Sequence, residues 1–209
     1  DSACASGTNL EGLTEGGVGY YTSVAIGADG NPVISHYDYT NFDLELYVCD
    51  DPACTTGNNH ALVTEGDVGQ YTSVAIGVDG NPVISHYDDT NDDLELYVCA
   101  DAACTTGTNH ALVTEGSVGY YTSVAIGVDG NPVISHQDNT NDDLELYVCD
   151  DPTCTTGTNH ALVTAGHVGT YSSVAIGVDG NPVISHYDQN NADLELAIPM
   201  FRVTGIAFE

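Results

Sequence analysis

The sequence predicts an all-β protein, and within that class a four-bladed β-propeller. It would consist of four 50-residue, four-stranded repeats closed by the N-terminal strand, with an extra C-terminal strand. Three observations lead there. The segment Tyr-Thr-Ser-Val-Ala-Ile-Gly starts at Tyr21, Tyr71 and Tyr121 and returns as Tyr-Ser-Ser-Val-Ala-Ile-Gly at Tyr171. Residues 51–100 and 101–150 differ at only seven positions, and long strand-only periods of this kind mark propeller blades and related arrays. No stretch of useful length has helical periodicity. The phase of the repeat supplies the third observation: the chain opens on a fourth-strand segment (Asn9 to Thr14) and ends after a third strand.

Each unit reads as four strands. The first, Ser23 to Gly27, is β-branched and bounded by glycine. Asp29-Gly30-Asn31-Pro32 supplies hairpin chemistry, because Asp-Gly readily takes the positive φ of a tight turn. It leads into the second strand, Val33 to Tyr37. A polar stretch, Asp38 to Phe42, turns the chain into the third, Asp43 to Cys49, where Leu44, Leu46 and Val48 alternate with Asp43, Glu45 and Tyr47. A cysteine-bounded turn and a Thr-Thr-Gly loop precede the fourth, His60 to Thr64. A ring solves the phase problem, since the N-terminal strand completes the last blade and no sheet edge stays exposed. An eight-bladed ring shared by two chains and an open superhelical stack of sheets satisfy the same period. The propeller domain covers residues 1–199; residues 200–209 have no counterpart in any copy and form a separate tail.

Charge narrows the function. The 209 residues include 31 acidic ones and a single basic one, Arg202, for a formal net charge of -30. A chain with one cation cannot neutralise phosphates or anionic headgroups, which excludes nucleic-acid binding and attachment to anionic lipid. No apolar run approaches the ~20 residues needed to insert across a bilayer. With 42% hydrophobic residues, 23 glycines and 13 tyrosines, this is not a disordered acidic tail either.

Six of the seven cysteines form three close pairs: Cys49 with Cys54, Cys99 with Cys104, and Cys149 with Cys154. Each pair encloses a four-residue turn, so disulfides are expected, and with them an oxidising, extracellular setting, secreted or at the cell surface. Zinc is the competing use, but each pair lacks two further ligands nearby. Cys4 aligns with Cys54, Cys104 and Cys154 and has no partner in register, which suggests a free thiol or an intermolecular bond.

The acidic turns after the second strand are candidate calcium ligands: Asp38, Asn41 and Asp43; Asp88, Asn91 and Asp93; Asp138, Asn141 and Asp143; Asp188, Asn191 and Asp193. A hard cation needs six to eight converging oxygens, and turns rich in Asp and Asn supply them; the same residues also serve turn formation. No cofactor is required by the sequence, and calcium is the one it could hold. His36, His86, His136 and His186 repeat at one blade position and His60, His110 and His160 at another, where hydrogen bonding between blades is the expected role. Tyr21, Tyr71, Tyr121 and Tyr171 could stack on sugar rings or fill space between blades.

The string Ser-Val-Ala-Ile-Gly…Asp-Gly-Asn-Pro-Val-Ile-Ser…Tyr-Asp…Thr-Asn…Asp-Leu…Val-Cys…Cys resembles the repeats of secreted bacterial β-propeller-like proteins. The resemblance covers Cys4 to about Leu196 and implies an extracellular, non-catalytic repeat domain; it carries over no catalytic residue. Ala197-Ile198-Pro199 departs from it, standing where the other copies have Tyr-Val-Cys.

Four equivalent copies offer no unique acid and base, and no enzyme is expected. The function expected is structural: a stapled extracellular repeat protein that assembles through its ends into a fibre or surface layer. The tail residues Phe201, Val203, Ile206 and Phe208 would join one copy to the next by strand addition, so the main expected partner is the chain itself. The alternative is a multivalent extracellular binding module, glycan- or calcium-dependent.

Overall fold

The computed structural model describes residues 9–11 and 13–199, all strands, turns and loops. The first sheet is built from β1 (Tyr20–Ile26), β2 (Pro32–Asp38), β3 (Asp43–Cys49) and β4 (Gly57–Val63). The second follows with β5 (Val68–Ile76), β6 (Pro82–Asp88), β7 (Asp93–Cys99) and β8 (Gly107–Val113). The third holds β9 (Val118–Ile126), β10 (Pro132–Asp138), β11 (Asp143–Cys149) and β12 (Gly157–Val163). The last has three strands, β13 (Thr170–Ile176), β14 (Pro182–Asp188) and β15 (Asp193–Ala197). Every pairing is between neighbours in sequence and antiparallel, giving a β-propeller-like repeat fold.

Each junction between sheets repeats the same chemistry. Val33, Leu44 and Leu46 of the first sheet pack on Val74, Ile84 and Tyr97 of the second, and the pattern recurs twice more. The Ser23 hydroxyl accepts the Val74 N–H at 3.2 Å, as Ser73 does from Val124 and Ser123 from Val174. Glycine is required where the sheets come closest: Gly69 has φ +97°, and a Cβ there would lie 2.6 Å from the Leu44 Cα.

The structure corrects the expected ring closure: among the described residues no strand pairing joins the opening segment to the last sheet. Residues 9–11 and 13–19 form no strand, and among the described residues nothing pairs with the outer edge of β15. The first and last sheets stand apart. Val24 is 63% exposed where Val74 is 7% exposed, and Leu194 is 81% exposed where Leu44 is fully buried. The sequence supplies a reason. Aligned on β4, the opening segment places Glu11 where Ala61 faces Glu45, so closure would set Glu11 against Glu195; it also puts Gly12 in place of Leu62, an apolar residue of the junction. Leu13 instead packs, as Ile34 does, against the cluster of Tyr47, Cys49 and Cys54.

All three expected disulfides are present, with Cα–Cα distances of 4.9 Å. They fit an oxidising, extracellular environment, and among the described residues no helix is long and apolar enough to cross a membrane. Cys4 and the proposed assembly residues Phe201, Val203, Ile206 and Phe208 lie outside the described residues. Replacing both Cys99 and Cys104 by alanine is expected to cost about 2 kcal/mol, the loop-closure value for so short a ring. Thermal melts of this variant and of wild type check it: the gap should appear without reductant and close with it, while reductant lowers both transitions by opening Cys49–Cys54 and Cys149–Cys154.

Candidate functional site

The tyrosines that open the first strand of each sheet converge. Tyr21, Tyr71, Tyr121 and Tyr171, with the hydroxyl residues Thr22, Thr72, Thr122 and Ser172, line one open cavity of about 220 Å³ on the axis around which the sheets are arranged. Consecutive rings lie 4.6 Å apart, centroid to centroid, at all three steps. The backbone is bent to achieve this. All four tyrosines have φ between 51° and 54°, in the left-handed region that bulky residues avoid, and the pairing with the second strand slips at each of them. Such strain, repeated four times at one place, is a pattern found at binding and catalytic sites. Burial, and then the neighbouring Tyr21 and Tyr121 rings, push the Tyr71 phenol above its ordinary value; Tyr121 is raised mainly by burial too. The ring offers a surface of aromatic faces and hydroxyls.

Tyr171 also belongs to a side cleft of about 220 Å³ with His186, Tyr187, Asp193 and Leu194. Beside it, oxygens of Asp188, Asp193 and Glu195 lie within 4.8 Å of one another. Asp188 is buried. Burial alone would raise its carboxyl, but the Asn191 and Asn190 N–H groups and the Asn191 amide donate to it and hold it below the usual carboxylate range. Glu195 and Asp193 are reachable from solvent because the last sheet has an open face.

In the other sheets the same glutamate is closed off. Asn109 donates to Glu95 at 2.7 Å and accepts from His86 Nε2 at 3.1 Å; Asn59 and Asn159 make the same bridge in the first and third sheets. Burial raises Glu95 and Glu145, partly offset by that amide. His36, His86 and His136 thus sit in polar networks inside the sheets, while His186, among the described residues, lacks the asparagine and accepts the Gly169 N–H at Nδ1. The bridging asparagines were not singled out in the sequence, although their recurrence every 50 residues beside a repeated histidine was a visible signal.

The candidate calcium ligands fall at the turns joining second and third strands. Asp38 accepts from the Thr40 and Asn41 N–H groups at 2.6 and 3.3 Å and from the Asn41 amide at 2.7 Å; Asp88, Asp138 and Asp188 do the same with their own turns. Asp43, Asp93, Asp143 and Asp193 stand opposite these aspartates in register.

No family model and no curated protein matches the chain. Solved structures do share its fold. A GH43 β-1,3-galactosidase holding galactodeoxynojirimycin superposes with TM-score 0.62 at 11% identity, over 95% of this chain and 77% of that one. The intramolecular trans-sialidase of Ruminococcus gnavus, with oseltamivir carboxylate, gives 0.56 at 16% identity, over 87% and 42%. An endo-1,4-β-xylanase of Bacteroides thetaiotaomicron gives 0.53 at 11%, over 88% and 71%. The chain spans 28%, 29% and 42% of the length of three sialidases of this fold.

These neighbours correct the expectation of a non-enzymatic scaffold built to form fibres. The fold is one that carbohydrate-processing enzymes use, so a strand-only repeat array does not mark a passive structural protein. Near-identity of the copies, by itself, argues against a unique acid and base. The open ring removes that objection, because Glu195 and Asp193 face solvent where Glu95 and Asp93 are buried.

Proposed function

We propose that this chain is an extracellular carbohydrate-active protein that seats a saccharide on the axial tyrosine ring. The observation that carries the reading is the convergence of four strained tyrosines on one cavity, in a fold shared with glycosidases and sialidases. Aromatic faces suit the apolar face of a sugar, and the surrounding hydroxyls suit its polar edge. At about 220 Å³ the cavity is small, which favours a terminal sugar unit over a long internal stretch. Glu195 and Asp193 adjoin the cleft that Tyr171 shares with the ring and are the carboxylates that hydrolysis would use as acid and base.

The test is binding of galactose-, xylose- and sialic-acid-terminated oligosaccharides by calorimetry, with release of reducing sugar followed in parallel. Tyr71→Ala and Tyr121→Ala are each expected to weaken the bound saccharide by about 2 kcal/mol, roughly thirtyfold, as for a buried aromatic anchor. Glu195→Gln should stop bond cleavage and leave that affinity within a few-fold. Saccharide affinity unchanged by both tyrosine substitutions would remove the ring from the reading; no affinity for any sugar would remove the reading itself.

A further inference from the structure

The last sheet lacks what each of the other three contains, and three separate features show the gap. The outer edge of β15 has no strand beside it among the described residues. Leu194 and Leu196, whose counterparts Leu44 and Leu46 are fully buried, are 81% and 60% exposed. The third feature is a buried donor. His186 is 2% exposed, and its Nδ1 accepts the Gly169 N–H at 3.4 Å, which leaves the proton on Nε2; that Nε2 has no hydrogen-bond partner and points at Glu195 Oε2, 3.7 Å away.

What fills this space is displayed three times in the same molecule. In each complete sheet the fourth strand lies antiparallel to the third, with an asparagine opposite Tyr47, Tyr97 or Tyr147 and an alanine opposite Glu45, Glu95 or Glu145. The asparagine oxygen takes the histidine proton and its amide binds the glutamate. Transferred to β15, the register asks for asparagine opposite Ala197 and a small residue opposite Glu195. The chain's own opening segment carries Asn9 in register but sets Glu11 against Glu195, which disqualifies it.

We propose that β15 accepts, from a separate polypeptide, an extended strand of the pattern Asn-x-Ala-Leu-Val, whose asparagine bridges His186 and Glu195. Backbone hydrogen bonds along the edge supply affinity, and the buried bridge with the alanine supplies selectivity. A like charge opposite Glu195, or an apolar residue under His186 Nε2, is rejected. The strand would lie at the outer edge of the sheet and leave the axial tyrosines open, but its asparagine would engage Glu195, so bound strand should leave saccharide affinity unchanged and suppress any cleavage that uses Glu195.

The experiment uses the full chain and the labelled peptide Gly-Thr-Asn-His-Ala-Leu-Val-Thr, the sequence of β8 and the residue after it, followed by fluorescence anisotropy. Saturable binding is expected. Asn→Ala in the peptide should weaken it at least tenfold, and Ala→Glu should abolish it. On the protein side Leu194→Arg with Leu196→Arg, both at exposed positions, should abolish binding while the thermal transition stays within a few degrees of wild type. Hydrogen exchange should slow at β15 amides when peptide is bound. The proposal is overturned by an absence of binding, by equal binding of the three peptides, or by binding that survives the paired arginine substitution.

Discussion

Lowering the pH from 7 to 5 is expected to remove about 4 kcal/mol of folding stability through two residues, His86 and His136. Both imidazoles are fully buried, and burial pulls each down to about 4 from an ordinary 6.5. The unfolded chain therefore takes up protons that the folded chain refuses. The stabilisation is complete above pH 6.5 and is lost as the pH falls towards 4. At pH 5 about 1.5 units of that window have been crossed, worth about 2 kcal/mol per histidine at about 1.4 kcal/mol per unit. Glu95 and Glu145 act in the opposite sense. Burial raises them, so they bind protons in the folded state first and favour folding as the pH drops through their range. Relief of repulsion among 31 acidic residues has the same sign. Urea titrations at pH 7.5, 6.5, 5.5 and 5 on wild type and on His86→Gln with His136→Gln separate these contributions. Glutamine keeps a donor for the asparagine and cannot charge, so the variant should lose the downward slope. Parallel slopes in the two proteins would assign the acid sensitivity elsewhere.

How much of this was legible in the sequence follows from which forces are local. The strands were readable because hairpin chemistry at Asp29-Gly30 and alternation through Leu44, Leu46 and Val48 act over a few residues. The third strand, Asp43–Cys49, has the bounds expected, while the first and fourth start earlier than expected, at Tyr20 instead of Ser23 and at Gly57 instead of His60. The disulfides were equally local. Ring closure was not, since it depends on how far three successive junctions rotate the last sheet, a sum of small packing angles that no residue states. Glu11 and Gly12 did carry a warning, since they set a charge where β4 has Ala61 and remove bulk where it has Leu62. The tyrosine ring was half legible. Tyr21, Tyr71, Tyr121 and Tyr171 stood out as a repeated set, but their turn towards the axis comes from a left-handed backbone and a register slip that composition does not encode. The inequivalence of Glu195 was hidden altogether, because it arises at the outer edge of β15, beside which the described residues place no strand.

Asn109→Ala is expected to cost about 2–4 kcal/mol at pH 7, and it tests whether the asparagine bridge holds the sheets or merely fills them. The substitution removes the 2.7 Å bond to Glu95 and the 3.1 Å bond to His86 together, leaving a buried carboxylate 3.6 Å from a ring nitrogen. A buried charge stripped of its donor costs more than the net worth of the bond that was lost, and that sets the size of the effect. The loss has a pH signature. The Asn109 amide holds Glu95 down against burial, so without it Glu95 rises further and the folded variant takes up a proton sooner. The deficit should be greatest at neutral pH and shrink as the pH falls through the raised value. Asn109→Asp keeps volume and shape but faces Glu95 with a second carboxylate. It should be worse than alanine at pH 7 and recover more on acidification, when one of the two carboxyls can hold a proton and donate. If the bridge were only a space-filler, aspartate would be nearly neutral and alanine would carry a pH-independent cavity cost. Chemical denaturation of the three proteins at pH 7 and pH 5 gives opposite rankings for the two cases, so the charge balance within the sheet is decided by the order of the variants.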